Sequence, residues 1–276
     1  MSGPDGGAPI VVGVDGSQGS HAAVEWAAFE ARRRGLPLRM VCALGADEVT
    51  PPEYDDAGDQ LTDAVKLAAG VAPAAEVRTD AVAAGAAAAL VRAAESAALV
   101  VLGARGLAPM SGMLLGSVSR QVAEHAAADV VVVPGFRPVA YREIVVGVDG
   151  SGDGEQALKY AFDEAEARSA ALRAVHAVGS PLPLIADDRP LEERSRWLSD
   201  RLAPWIDKHP GERVTPRLVR GSAVYALTTT AMHADLLVIG ARGLGGFPGL
   251  LLGGTGLGVL NHSQCPVLIV RHEPRG

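Results

Sequence analysis

Short apolar runs without polar alternation stand at residues 10–14 and 144–148, which is how a parallel strand covered on both faces reads. Each is followed by Asp-Gly-Ser and then by an alanine-rich, charged segment, residues 21–34 and 155–168. Val24, Trp26, Ala27 and Ala31 recur there at helical spacing, as do Leu158, Ala161, Phe162 and Ala165. The alternation continues with strands predicted at 38–44, 76–81, 99–102 and 130–133 and helices at 60–69, 86–96 and 117–126. In the second half, strands are expected at 172–178, 213–219, 236–239 and 267–270, and helices at 191–209 and 223–233. Strands alternating with helices imply right-handed crossovers and a parallel sheet, here an α/β unit of five strands in each half.

The two halves are copies. IVVGVDGS occurs at residues 10–17 and again at 144–151, and LVVLGARG at 99–106 returns as LLVIGARG at 236–243. The offsets are 134 and 137 residues (144 − 10 and 236 − 99), so the second copy carries three more residues between these landmarks. A period this long makes each copy a domain in its own right. The expected domains are 1–137 and 138–276, with the join near residues 137–142. Residues 47–59 are acidic and proline-containing, whereas 187–209 read as longer and more helical. Within the latter, Leu191, Leu198, Leu202 and Trp205 share a helical face and predict a buried Trp205; Trp197 falls off that face, open to packing or to a partner.

Composition narrows the class. Of the 276 residues 48% are apolar and 21% charged, which fits a globular protein. The formal charge of −7 argues against nucleic-acid or anionic-membrane partners, which need a basic face. The N-terminal MSGPDGGAP has neither the basic start nor the apolar core of a secretory signal, and no apolar run approaches a membrane span. The expectation is a cytoplasmic protein. Cys42 and Cys265 lie in apolar stretches with no metal-ligand spacing and read as buried reduced thiols.

The chemistry sits in the glycines. In an open parallel sheet, ligands bind beyond the carboxyl ends of the strands where the strand order reverses. Both repeated motifs end at such positions. Gly103-Ala104-Arg105-Gly106 is followed by nine residues and then by Gly116-Ser117 at a predicted helix start. Glycines let backbone N–H groups approach an anion without a Cβ in the way, and a helix N-terminus offers free N–H groups with a favourable dipole. Ser117 can cap that helix or donate its hydroxyl to a phosphate oxygen, and Arg105 is the nearest cation. Asp15 at the tip of the first strand reads in two ways. It is an acceptor for ribose or adenine, or a holder of hydrated magnesium, or it closes an Asp-Gly turn on its own backbone.

These residues resemble the universal stress protein family in its tandem two-domain form. Its ATP-binding members carry G-x2-G-x9-G-[S/T], matched in full by Gly103, Gly106, Gly116 and Ser117, and an aspartate after the first strand, matched by Asp15 and Asp149. The resemblance implies two doubly wound domains, each a five-stranded parallel sheet of order 3-2-1-4-5 flanked by helices, with ATP in the crevice, magnesium as its companion, and domain pairing through the last strand. The implied nucleotide site in the first half comprises Asp15, Gly16, the backbone at Cys42 and Ala43, Gly103, Arg105, Gly106, Gly116, Ser117 and Val118. Its counterpart comprises Asp149, Gly150, His176, Ala177, Gly240, Arg242, Gly243, Gly253, Gly254 and Thr255. There Gly254 replaces the hydroxyl residue and Thr255 stands one position late, so the second site is expected to be weaker. His125 and His262 read as cations closing helix C-termini.

The implied function is that of an ATP-binding regulatory module of the stress response, working as a homodimer of tandem chains. No G-x4-G-K-[S/T], G-x-G-x-x-G after the first strand, or G-x-S-x-G occurs, which disfavours a P-loop NTPase, a nicotinamide enzyme and a serine hydrolase. No catalytic residue is assigned. A slow ATPase or nucleotidyl-transfer enzyme and an interaction protein without nucleotide remain as alternatives.

Overall fold

A computed structural model describes residues 7–45, 51–106, 115–135, 140–179, 190–244 and 251–271. The chain forms two compact units, Met1–Phe136 and Arg137–Gly276. In the first, strands β1 (Ile10–Val14), β2 (Leu38–Ala43), β3 (Val77–Val82), β4 (Leu99–Gly103) and β5 (Val130–Val133) alternate with helices α1 (Gln18–Arg34), α2 (Pro51–Val71), α3 (Ala86–Ala94) and α4 (Ser117–His125). The strands pair in parallel in the order β3-β2-β1-β4-β5, with Ile10 opposite both Leu38 and Leu99. The order reverses between β1 and β4.

The second unit repeats the plan. Its strands are β6 (Glu143–Gly147), β7 (Ala171–Val178), β8 (Val214–Arg220), β9 (Leu236–Gly240) and β10 (Val267–Val270). Its helices are α5 (Gly152–Arg168), α6 (Leu191–Lys208), α7 (Ala223–Thr230, continued by a 3-10 turn at Ala231–His233) and α8 (Gly254–His262). The sheet order is β8-β7-β6-β9-β10, again parallel, with Ile144 opposite Leu172 and Leu236. Each unit thus has the 3-2-1-4-5 order that the resemblance implies.

Burial explains why the strands carry no polar alternation. Ile10, Val11 and Val12 in β1 and Leu99, Val100 and Val101 in β4 have no exposed surface, nor do Ile144, Val145 and Val146 in β6. Helices cover both faces, so every second residue has no solvent to meet. Their termini follow local chemistry. Ser17 caps α1 by accepting from the Ser20 N–H at 3.1 Å, and Ser151 caps α5 by accepting from Gly154 at 3.0 Å. His125 and His262 set Nδ1 against the carbonyls of Gln121 and Gly258 in the last turns of α4 and α8, as expected for residues closing a C-terminus. Glu30 and Glu164 are buried on the first helix of each unit and pair one turn on with Arg34 and Arg168.

Two expectations change. The helix after β2 begins at Pro51, not near residue 60, so the described part of the acidic, proline-containing stretch is helical. Two prolines look like a loop in sequence, but the first turn of a helix has no use for their missing N–H. On α6, Leu198 and Leu202 are buried while Leu191 is exposed, and Trp205 is half-buried with its ring stacked on Phe162 at 6.1 Å. Trp197 packs within its own unit, its ring 4.7 Å from that of His176. No helix among the described residues is long and apolar enough to cross a membrane.

The ends of α1 and α5 give an internal comparison. Both helices end on a left-handed residue, Gly35 (φ 65°) in one and Ser169 (φ 50°) in the other. A Cβ in this region costs roughly 1–2 kcal/mol. Ser169→Gly is therefore expected to raise stability to chemical denaturation and Gly35→Ser to lower it, each by about 1 kcal/mol; denaturant midpoints of the two variants check the sign.

Candidate functional site

The strand reversal puts the carboxyl ends of β1 and β4 side by side, and the residues after them meet there. Gly16 takes φ 73° to turn the chain off β1, and the Ser17 N–H donates to Asp15 Oδ1 at 3.0 Å. This turn is the local Asp-Gly reading, yet it engages only one carboxylate oxygen. The other, Oδ2, lies against Gly106, so close that a Cβ on Gly106 would overlap it. Gly103 backs onto Gly19 in the first turn of α1, where a Cβ would come within 2.5 Å of the Gly19 carbonyl carbon. Backbone thus bars a Cβ at Gly103, whereas at Gly106 only the end of the Asp15 side chain stands in the way.

The third opens the helix. Gly116 is the N-cap of α4, with no side chain to cap it, and its own N–H bonds the Ala104 carbonyl at 2.7 Å. Arg120 is the first residue of α4 whose N–H bonds back within the turn, to Gly116 at 3.0 Å. The N–H groups of Ser117, Val118 and Ser119 precede it and are left over by the helix. Ser117 is the first helical residue and not the cap, and its side chain is exposed, while Val118 is half-buried. Buried Ser119 donates from Oγ to the Gly103 carbonyl at 2.7 Å and fixes the helix start on the strand end. Arg105 is exposed beside this opening. Residues 107–114, inside the nine-residue spacer, lie outside the described residues.

Toward β2, Cys42 stands opposite Val14 and is buried; Ala43 follows, half-buried. Burial, and then the charge of Asp15, push the Cys42 thiol above its ordinary pKa, so it is held as the thiol. Both cysteines are buried thiols outside any disulfide. A residue that sequence reasoning did not single out completes this end. Gln60 of α2 lies 3.1 Å from where a Cβ on Gly16 would be, and its Oε1 accepts from Cys42 Sγ at 3.4 Å. Only its place in a helix after the second strand hinted at it.

The second unit places its counterparts differently. Asp149 Oδ1 accepts from the Ser151 N–H at 2.9 Å and from its hydroxyl at 2.7 Å, and Oδ2 accepts from the Leu244 N–H at 3.2 Å. Gly150 (φ 84°) faces Trp197, whose Cζ2 would be 3.0 Å from an added Cβ. His176 turns Nδ1 to the Val148 carbonyl at 2.8 Å, and Ala177 follows it. Gly243 backs onto Asp149 and Gly240 onto Asp153. Arg242 is paired with Asp153, which holds the guanidinium above its ordinary pKa through hydrogen bond and charge. Gly253 is the uncapped N-cap of α8, and Gly254 and Thr255 are exposed in its first turn. Gly258 lets α8 approach Val224 of α7, where a Cβ would come within 2.5 Å of Cγ2.

In the first unit, then, the residues fit an anion. The first N–H groups of α4, which have no intrahelical partner, the exposed Ser117 hydroxyl and the Arg105 cation stand at the end of β4, and Gly106 brings the Asp15 carboxylate to the same end. The model of the universal stress protein family matches residues 8–134 and again 140–271. A universal stress protein of Mycolicibacterium smegmatis is 34% identical over 287 residues, covering 95% of this chain and 96% of that one. One from Mycobacterium tuberculosis (strain ATCC 25618 / H37Rv) is 33% identical over 295 residues, covering 99% of each. Among solved structures, a universal stress protein from Archaeoglobus fulgidus DSM 4304 superposes with a TM-score of 0.71 at 18% identity over 96% of each chain, a likeness of fold.

The steric surroundings of the glycines predict opposite outcomes for one substitution. Gly103→Ala has backbone in the way and is expected to cost about 1–3 kcal/mol. Gly254→Ala meets nothing within 4 Å on a helix and is expected to gain about 0.5–1 kcal/mol. Thermal melts of the two variants should move in opposite directions.

Proposed function

The chain belongs to the universal stress protein family, and on that premise we propose that its first unit binds an adenine nucleotide, ATP with magnesium in particular, as a regulatory module. The observation that carries this is the uncapped start of α4 beside Gly106 and Asp15, at the reversal point of the sheet. In this reading the phosphates lie on the N–H groups of Ser117, Val118 and Ser119, with the Ser117 hydroxyl and Arg105 as further donors. Asp15 takes the ribose or a hydrated magnesium ion, and Cys42, Ala43 and Gln60 border the base. Magnesium, when bound, supplies positive charge against the phosphates. The nucleotide acts by occupancy, ordering the glycine loop and shifting the packing available to partners. The chain works in the cytoplasm, and two chains associate as the resemblance implies.

Calorimetry with ATP tests the reading. Submillimolar binding is expected, together with adenine nucleotide released from freshly purified protein. Ser117→Ala removes one hydrogen bond to a charged phosphate and should weaken binding about ten- to a hundred-fold. No heat and no thermal shift with ATP and magnesium would overturn it, and turnover above about 1 s⁻¹ would favour an enzyme instead.

A further inference from the structure

The first turn of α5 holds a carboxylate that α1 lacks. Asp153 stands 134 residues on from Gly19, and the two occupy the same place, each against the end of the fourth strand of its unit. Asp153 is 5% exposed, and its Oδ2 accepts from the Arg242 backbone N–H at 3.0 Å and from Arg242 Nε at 3.1 Å. Arg242 Nη2 lies 3.5 Å from Oδ1. One side chain thus takes both the main-chain amide and the guanidinium of the second unit's glycine loop. In the first unit the same position is a glycine and has no side chain to do so.

A phosphate entering the second loop meets an anion already in place. It must expel Asp153, leaving a buried carboxylate without its partners, or share the loop with it, like charge against like. The base end differs in the same sense, since Trp197 covers Gly150 and stands on His176 where the first unit has Gln60.

We propose that Asp153 acts as an internal anion that fills the second glycine loop, so that the chain takes up adenine nucleotide in its first unit only. This rests on the reading of the first-unit crevice as a nucleotide site. It differs from a weakening by the missing hydroxyl at Gly254, because it locates the block in a group that is present.

Native mass spectrometry and calorimetry of the intact chain with ATP and magnesium count the sites. One equivalent per chain is expected, weakened by Ser117→Ala. Two equivalents of similar affinity would overturn the closure of the second unit and leave the nucleotide reading standing, while no equivalent would overturn that reading itself. Asp153→Ala keeps a Cβ that the backbone already accommodates and removes the carboxylate, and Gly254→Ser enters open space. Asp153→Ala, alone or with Gly254→Ser, is expected to raise second-site affinity about ten- to a hundred-fold and bring in a second equivalent, whereas Gly254→Ser alone is expected to leave one; a second equivalent with Gly254→Ser alone would overturn the assignment to Asp153. A folded double variant that still takes one overturns the proposal. Asp153→Asn by itself, which keeps the side chain's volume and loses its charge, covers the case in which alanine loosens α5: a gain of second-site affinity supports the proposal and none overturns it.

Discussion

The close approach of the first helix of each unit to the end of the fourth strand governs everything nearby. Gly103 lies so near the backbone of Gly19 that no side chain fits between them, and Gly240 lies as near to Asp153. That approach is possible because the chain leaves β1 through a left-handed glycine and enters α1 at once, with Ser17 capping the helix. It carries Asp15 against Gly106 and leaves α4 to begin a few ångströms from the same strand end. A carboxylate, a glycine loop and a helix N-terminus come to share one small volume through backbone packing, before any ligand is considered.

The strands were legible because burial on both faces removes polar alternation, and the duplication because two landmarks repeat at nearly one offset. Their order across the sheet came from resemblance, since spacing alone does not fix which strand neighbours which. The start of α2 was misread for a physical reason: proline is a breaker inside a helix and an acceptable residue in its first turn. Gln60 lies within the helix that the sequence predicts after the second strand, but nothing in that pattern says that its side chain reaches back to Gly16 and Cys42.

For the site, residue types were legible and their reasons only in part. Gly103 and Gly106 were read as clearance for an anion, yet their immediate neighbours are Gly19 and Asp15. Ser117 was open as cap or donor. Gly116 takes the cap position and leaves the hydroxyl exposed, which supports the donor. The change from Gly19 to Asp153 lay in plain view just beyond the repeated octapeptide. It carries meaning only once the carboxylate is seen to reach Arg242, almost ninety residues away in sequence.

That single difference sets stability against ligand. A carboxylate in the first turn of α5 is favoured by the helix dipole, commonly by about 0.3–1 kcal/mol, and it also satisfies a loop amide that would otherwise need water or a ligand. Its benefit to the second unit is thus the same interaction that a phosphate would make there. With Gly19 in its place, the first unit has no side chain at that position to occupy its loop in the same way. Satisfying a loop donor from within the chain stabilises the fold at the cost of the donor's availability to any ligand, the usual exchange between stability and function.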